Sequence, residues 1–420
     1  MNVDVIVVGG GLAGSALATS LARQGRQVLV IERETKFKDR VRGENMLPWG
    51  VAMARRLGVL DDLVAAGGHR APFFNLYAMG TQTEHRPFPD TTPSGEASLN
   101  MYHPDLQEAL LAGAKKAGAD VKRGANVHSL SEKAGTWTVE FADDSGTHAV
   151  GARLVVGADG RASTMREWGG FTVTRDPEHL RIAGTLVHGT SVPDDGVHFS
   201  IGPGFGSFIA PLDNKRARMY VVHVGAMGDR KLSGKNKLPE FFEISRATGA
   251  SAAWFDGVEV MGPLAEFEGA DQCVPAPAKR GLALVGDAAA ATEPSWGCDL
   301  SKTMVDVNAL STCLADNDDW DATLQRYAAQ HDDYYGKLHN ILSWMTWCGP
   351  QDGRASRPRV PAPGSGSDGI PRRSRTRAVR TLRRTGAPSH PGRILSPTRD
   401  IAKNDLANAV HTARSPAGYT

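Results

Sequence analysis

The chain has 420 residues, 41% of them hydrophobic, which is ordinary for a globular protein and enough for one large domain or two fused ones with a shared core. No uninterrupted apolar run approaches the roughly 18 residues of a membrane span. The net charge of +2 is uneven: residues 351–420 hold thirteen Arg and one Lys against four Asp, or +10, so the rest carries −8 and does not read as a nucleic-acid binder.

In chain order, residues 3–8 (Val-Asp-Val-Ile-Val-Val) predict a buried β-branched strand. Asp4 interrupts the apolar start, no basic region precedes it and glycines follow at once. The segment is therefore not read as a secretory leader, and a cytoplasmic protein is expected. Gly9 to Gly14 predict a turn, residues 15–23 a helix and residues 27–32 a second strand, so this is a β-α-β unit with neighbouring parallel strands. Residues 45–66 and 106–117 predict helices. Residues 137–141 alternate apolar and polar, and Asp143-Asp144-Ser145-Gly146 turns the chain into a hairpin. A buried strand at 154–156 leads into Gly157-Ala158-Asp159-Gly160. Strand-like runs at 182–187, 197–201, 207–211 and 218–224, then a helix at 239–248, predict a mainly antiparallel sheet. A strand at 282–285 and helices at 300–314 and 320–345 follow.

The expected fold class is α/β: a Rossmann-like dinucleotide-binding domain formed by residues 1–170 and 276–350, with an inserted, mainly antiparallel substrate domain at 171–275. From about Gln351, Arg, Pro, Ser and Gly dominate, and Tyr419 is the tail's only aromatic residue. Such a segment buries too little apolar surface to offset its ordering entropy, so 351–420 is expected to be a disordered or non-native tail. Cys273, Cys298, Cys313 and Cys348 match neither a zinc site nor a redox pair and are expected to be reduced thiols. His103, His188, His198 and His223 are scattered and expected to be structural or surface residues, and no Ser/His/Asp constellation is present.

The chemistry-bearing residues begin at Gly9-Gly10-Gly11-Leu12-Ala13-Gly14. In this G-x-G-x-x-G, Gly9 permits the tight turn, Gly11 lets a pyrophosphate approach the backbone, and Gly14 lets the helix pack on the sheet. Free N–H groups at the helix start then face the phosphates. Glu32, closing the second strand, is placed to accept hydrogen bonds from ribose hydroxyls, with Arg33 beside it. This pattern alone allows NAD, NADP or FAD.

Two later motifs narrow the choice. Asp159-Gly160-Arg161-Ala162-Ser163-Thr164-Met165-Arg166 resembles the D-G-x-x-S-x-x-R motif of FAD-dependent monooxygenases of the para-hydroxybenzoate hydroxylase type. Gly286-Asp287, with Pro294, Gly297, Asp306 and Leu310, resembles that family's G-D motif. The motifs stand in the family's order over about residues 1–345. The resemblance implies FAD as cofactor and NAD(P)H as electron donor. It places Asp287 at the ribityl and phosphate part of FAD, Pro294 and Gly297 near the flavin ring, and the start of helix 300–314 at its pyrimidine edge. It also implies that Asp159 links FAD to the site of pyridine-nucleotide action, and that Arg42, in Arg42-Gly43-Glu44, lies near the flavin.

The chain departs from the family pattern at Asp299, where a glycine is usual; at Ala290, where His is common; and at His103, where Arg is frequent. A carboxylate at 299 is expected to crowd the ring and oppose its reduced anion. The implied activity is insertion of one atom of O2 into a small apolar or aromatic substrate, and no catalytic side chain is assigned. Phe199, Phe205, Phe208, Tyr220, Pro294 and Trp296 are the candidate substrate-cavity residues. Two other readings remain: an FAD-dependent reductase or dehydrogenase of the same fold, and a catalytically impaired flavoprotein-like binding protein. The flavin-halogenase Trp-x-Trp-x-Ile-Pro motif is absent. Neither a membrane span nor a nucleic-acid partner is expected.

Overall fold

A computed structural model describes residues 2–178, 180–202, 204–224, 231–316 and 319–347. The expected tail and Cys348 lie outside the described residues. Among the described residues, two eight-stranded sheets organise the molecule, with two three-stranded ones beside them in the chain's topology.

The first sheet runs, in spatial order, Ala278–Lys279, Leu282–Leu284, Gly146–Gly157, Asn2–Val8, Val28–Glu32 and Asp120–Arg123. Asn2–Val8 pairs in parallel with both Gly146–Gly157 and Val28–Glu32. Side-chain alternation explains its continuous apolar strands. Val5, Val7, Val28 and Val30 pack on a helical layer that includes Leu17, Leu111 and Met304. Ile6, Val8, Leu29 and Ile31 face the opposite layer, with Val139, Phe141 and Met165. Strands buried on both sides have no polar face to alternate with.

The predicted hairpin forms, but its second strand does not stop. Gly146–Gly157 is one strand, antiparallel to Thr136–Asp143 at its start and parallel to Asn2–Val8 at its end. The helix expected over 45–66 is two helices, Pro48–Arg56 and Leu60–Ala65, after a short strand at Asn45–Met46. Gly58, at φ +71°, lies in the break.

The second sheet contains Leu180–His188, Arg216–Val224, Phe205–Pro211 and Gly196–Gly202, paired antiparallel except at its junction with Phe73–Ala78. Phe73–Ala78 pairs in parallel with Gly196–Gly202, and Thr81–Pro87 extends the edge. Residues 73–87 were expected to belong with the nucleotide-binding unit, yet their hydrogen bonds lie in this second sheet. One face of the sheet packs on helix Leu238–Ala247 through Phe241 and Ile244. The other carries Ile182, Phe199, Phe208 and Tyr220. No helix among the described residues is long and apolar enough to cross a membrane. Cys298 and Cys313 are buried and Cys273 is partly buried.

Candidate active site

A cavity of about 800 Å³ is lined by residues of both large sheets. Gly9, Gly11, Leu12, Ala13, Glu32, Arg33, Arg42, Asp159, Asp287, Pro294 and Gly297 all line it. Gly14 and Gly286 do not line it, and packing explains both. A Cβ on Gly14 would stand 1.9 Å from the carbonyl oxygen of Gly9, so this glycine sets the approach of the helix to the first strand. Gly286 has φ +60°, and a Cβ there would stand 3.0 Å from Ala13 and 3.2 Å from Thr303.

The first strand ends in Gly9, whose N–H donates to the Ile31 carbonyl (2.8 Å) and whose φ is +104°. Gly11 then caps helix Leu12–Arg23. No side chain caps that end, and no acidic residue occupies its first turn. The helix start therefore presents bare N–H groups and the positive end of its dipole. A Cβ on Gly11 would meet only the Gln107 side-chain amide, at 3.3 Å, so the position opens toward the cavity. Glu32 is held by the Gly10 N–H (2.6 Å) and the Glu34 N–H (2.8 Å), which aims its carboxylate at the turn.

The second motif braces the third. Asp159 Oδ2 accepts from the N–H groups of Thr164 (2.8 Å) and Met165 (3.1 Å), so this carboxylate starts helix Thr164–Trp168. Its Oδ1 is buried, has no hydrogen-bond partner among the described residues, and belongs to a cavity-lining residue. Buried Arg166 donates to the carbonyls of Arg161 (2.9 Å), Ala288 (2.7 Å) and Asp287. It thus ties the 159–166 segment to the Gly286-Asp287 turn, a role the motif alone did not reveal.

Beyond that turn, Gly297 adopts φ +66°, and helix Asp299–Asp316 begins. Asp299 lines the cavity, and its Oδ1 accepts from the Thr292 N–H (2.9 Å) and hydroxyl (2.7 Å). Burial first, then the neighbouring Asp287 charge, pushes its carboxyl above the usual range. One turn on, fully buried Lys302 donates to the Ala290 carbonyl and lies 3.4 Å from Asp306 Oδ2. Burial opposes its charge, but Asp306, Asp287 and Asp299 outweigh that and hold it above its ordinary value. His103 donates from Nδ1 to the Gly43 carbonyl (2.8 Å), and burial lowers its pKa, which favours the neutral ring.

Of the candidate substrate residues, Phe208, Tyr220 and Pro294 line the cavity, together with Ile182, Val222 and Phe267. Phe205 faces the other way and packs on the layer containing Phe241, because residues 205 and 208 of one strand have opposite parity. Phe199 sits behind the wall, stacked on Phe208 (4.5 Å between centroids) and near Trp296 (6.2 Å).

Sequence reasoning missed an ionic cluster beside that wall. Arg218, 0% exposed, donates to Glu44 Oε1 (3.0 Å) and Asp39 Oδ1 (2.8 Å), and the Tyr220 hydroxyl donates to Glu44 Oε2. Burial, then the Glu44 charge, pushes the Tyr220 phenol well up. The cluster anchors the Arg42-Gly43-Glu44 segment to the second sheet. Arg42 itself lines the cavity and lies over the Phe267 ring at 6.0 Å.

These features fit an FAD-sized dinucleotide: an uncapped helix start at a glycine turn, an orphaned carboxylate oxygen at the cavity, and an apolar wall beyond. The model of the FAD binding domain family matches residues 2–332. Digeranylgeranylglycerophospholipid reductase 1 of Methanococcoides burtonii is 27% identical over 312 residues, 72% of this chain and 71% of the reductase. Aklavinone 12-hydroxylase of Streptomyces purpurascens is 29% identical over 346 residues, 75% of this chain and 62% of the hydroxylase. The crystal structure of p-nitrophenol 4-monooxygenase from Pseudomonas putida superposes with a TM-score of 0.73 at 21% identity, over 84% of this chain and 91% of the other. That last likeness bears on the fold alone. The chain belongs to the FAD binding domain family and is an FAD-dependent oxidoreductase.

Proposed function

We propose that this member of the FAD binding domain family is a single-component, NAD(P)H-dependent monooxygenase acting on a small apolar or aromatic substrate. One observation carries the reading: a single cavity joins the glycine cradle to a wall of Ile182, Phe208, Tyr220, Val222 and Phe267. When bound, FAD reduced by NAD(P)H supplies the activation of O2 and transfer of one of its atoms to the substrate. The chain binds, orients and excludes water. The N–H groups at Gly11 and the helix that follows hold the phosphates. Glu32 would hold the adenosine ribose, and the Asp159 oxygen left without a partner among the described residues would accept from a cofactor hydroxyl. Pro294, Gly297 and the start of helix Asp299–Asp316 would hold the ring, where the helix dipole would favour negative charge. The aromatic wall keeps the reacting face dry. The acidic body disfavours nucleic acid as a partner.

The similarity to a reductase of comparable coverage favours a second reading, reduction of the substrate without oxygen transfer. Turnover of a candidate phenol or polyketide under isotopically labelled O2 separates the two. Label in the product is expected; a reduced product free of label establishes the second reading.

Asp299 sets a further expectation. Asp299→Asn keeps the acceptor for Thr292 and removes the charge, so the flavin's reduction potential should rise. A change of about 1.4 kcal/mol corresponds to about 30 mV for two electrons. The Asp299 carboxyl is raised above its ordinary value, so lowering the pH through that raised value protonates it and has the same effect in the unmodified protein. The Asn variant should lack that extra pH dependence. Spectroelectrochemical titration checks both, and identical potentials at all pH values place the Asp299 charge away from the ring.

A further inference from the structure

A second cavity, of about 220 Å³, lies on the small sheet formed by Thr174–Arg175, Gln272–Cys273 and Ala290–Ala291. Asp176 and Asp271 extend the pairing of its first two strands: the Asp176 N–H donates to the Asp271 carbonyl at 3.0 Å. Two like charges at opposed positions of an antiparallel pair are destabilising. Here the cost is larger because Asp271 is buried.

Helix Trp320–Trp347 brings a third donor. His339 Nε2 lies 3.0 Å from Asp176 Oδ2 and 3.8 Å from Asp271 Oδ2, and one ligand atom from each residue falls within 4.8 Å of the others. A tetrahedral zinc with bonds of about 2.0–2.1 Å spaces its ligand atoms about 3.4 Å apart, so small side-chain shifts suffice. Tyr335, one helical turn before His339, also lines this cavity, at 6% exposure. The proton of an imidazolium brings one positive charge against two carboxylates, whereas a divalent cation balances both.

We propose that Asp176, Asp271 and His339 form a binding site for a divalent transition-metal cation of the zinc type, apart from the FAD cavity. One imidazole nitrogen and two carboxylates suit zinc and leave a fourth position for water. The ion ties the last described helix to the loop that approaches the flavin, since Asp271 Oδ1 also accepts from the Glu293 N–H, next to Pro294.

The test is titration of the full-length, chelator-treated flavoprotein with ZnCl2 by calorimetry, and with CoCl2 by visible absorption. The expected result is one ion per chain with tetrahedral cobalt bands. Binding should weaken at least tenfold in His339→Ala and in Asp176→Asn, with flavin absorbance retained as the check on folding. The melting temperature should rise with zinc in the unmodified chain and not in the variants. No uptake by the unmodified chain overturns the site, and so does uptake that both substitutions leave unchanged.

Discussion

Gly11→Val is expected to give a folded protein that purifies without its flavin. A Cβ at this position meets only the movable end of Gln107, at 3.3 Å, so the side chain has room in the protein itself. The space it takes is the space the pyrophosphate needs, directly over the bare N–H groups of the helix start. Loss of that approach should weaken cofactor affinity well over tenfold, which is more than about 1.4 kcal/mol. The flavin-to-protein absorbance ratio measures it, and far-UV circular dichroism checks the fold. Gly14→Ala is the informative contrast, because its Cβ would lie 1.9 Å from the Gly9 carbonyl oxygen. That variant should lose folding and flavin together. Full flavin content in folded Gly11→Val would mean that the phosphates pass elsewhere.

Arg218→Met should produce the largest loss of stability. The guanidinium is wholly buried and serves Glu44 and Asp39, at 3.0 and 2.8 Å. Methionine fills the volume but, among the described residues, leaves the buried Glu44 carboxylate with only the Tyr220 hydroxyl. Removing one partner of a buried pair costs about 3–5 kcal/mol, chiefly through the stranded charge. For a protein of this size that is a fall in melting temperature on the order of 3–6 °C. Adding Glu44→Gln in the Arg218→Met background should recover part of the loss, because the second change removes the uncompensated charge. Asp39 is less deeply buried and stays hydrated. Calorimetric scans of the unmodified, single and double forms give the result. A single variant as stable as the parent would show that the cluster contributes nothing net.

Local signals account for what the sequence by itself determined. The strand-turn-helix-strand unit of residues 2–32 was legible because β-branched runs, a glycine turn and an acidic strand end are short-range features. The later Asp159 and Gly286-Asp287 motifs were legible for the same reason, and their order made the family resemblance specific. Three things were decided only by the tertiary structure. Strand Phe73–Ala78 joins the second sheet by parallel pairing with Gly196–Gly202, about 120 residues away, and no local pattern announces such a partner. Strand parity turns Phe208 to the cavity and Phe205 away from it, because a register set by neighbouring strands chooses which half of an apolar alternation faces which layer. Arg166 reaching Ala288, and Arg218 reaching Glu44, are contacts across 122 and 174 residues. A charged side chain reads as a surface residue until the fold surrounds it. Burial then makes its partners obligatory, since an unpaired charge out of water costs more than the fold can supply.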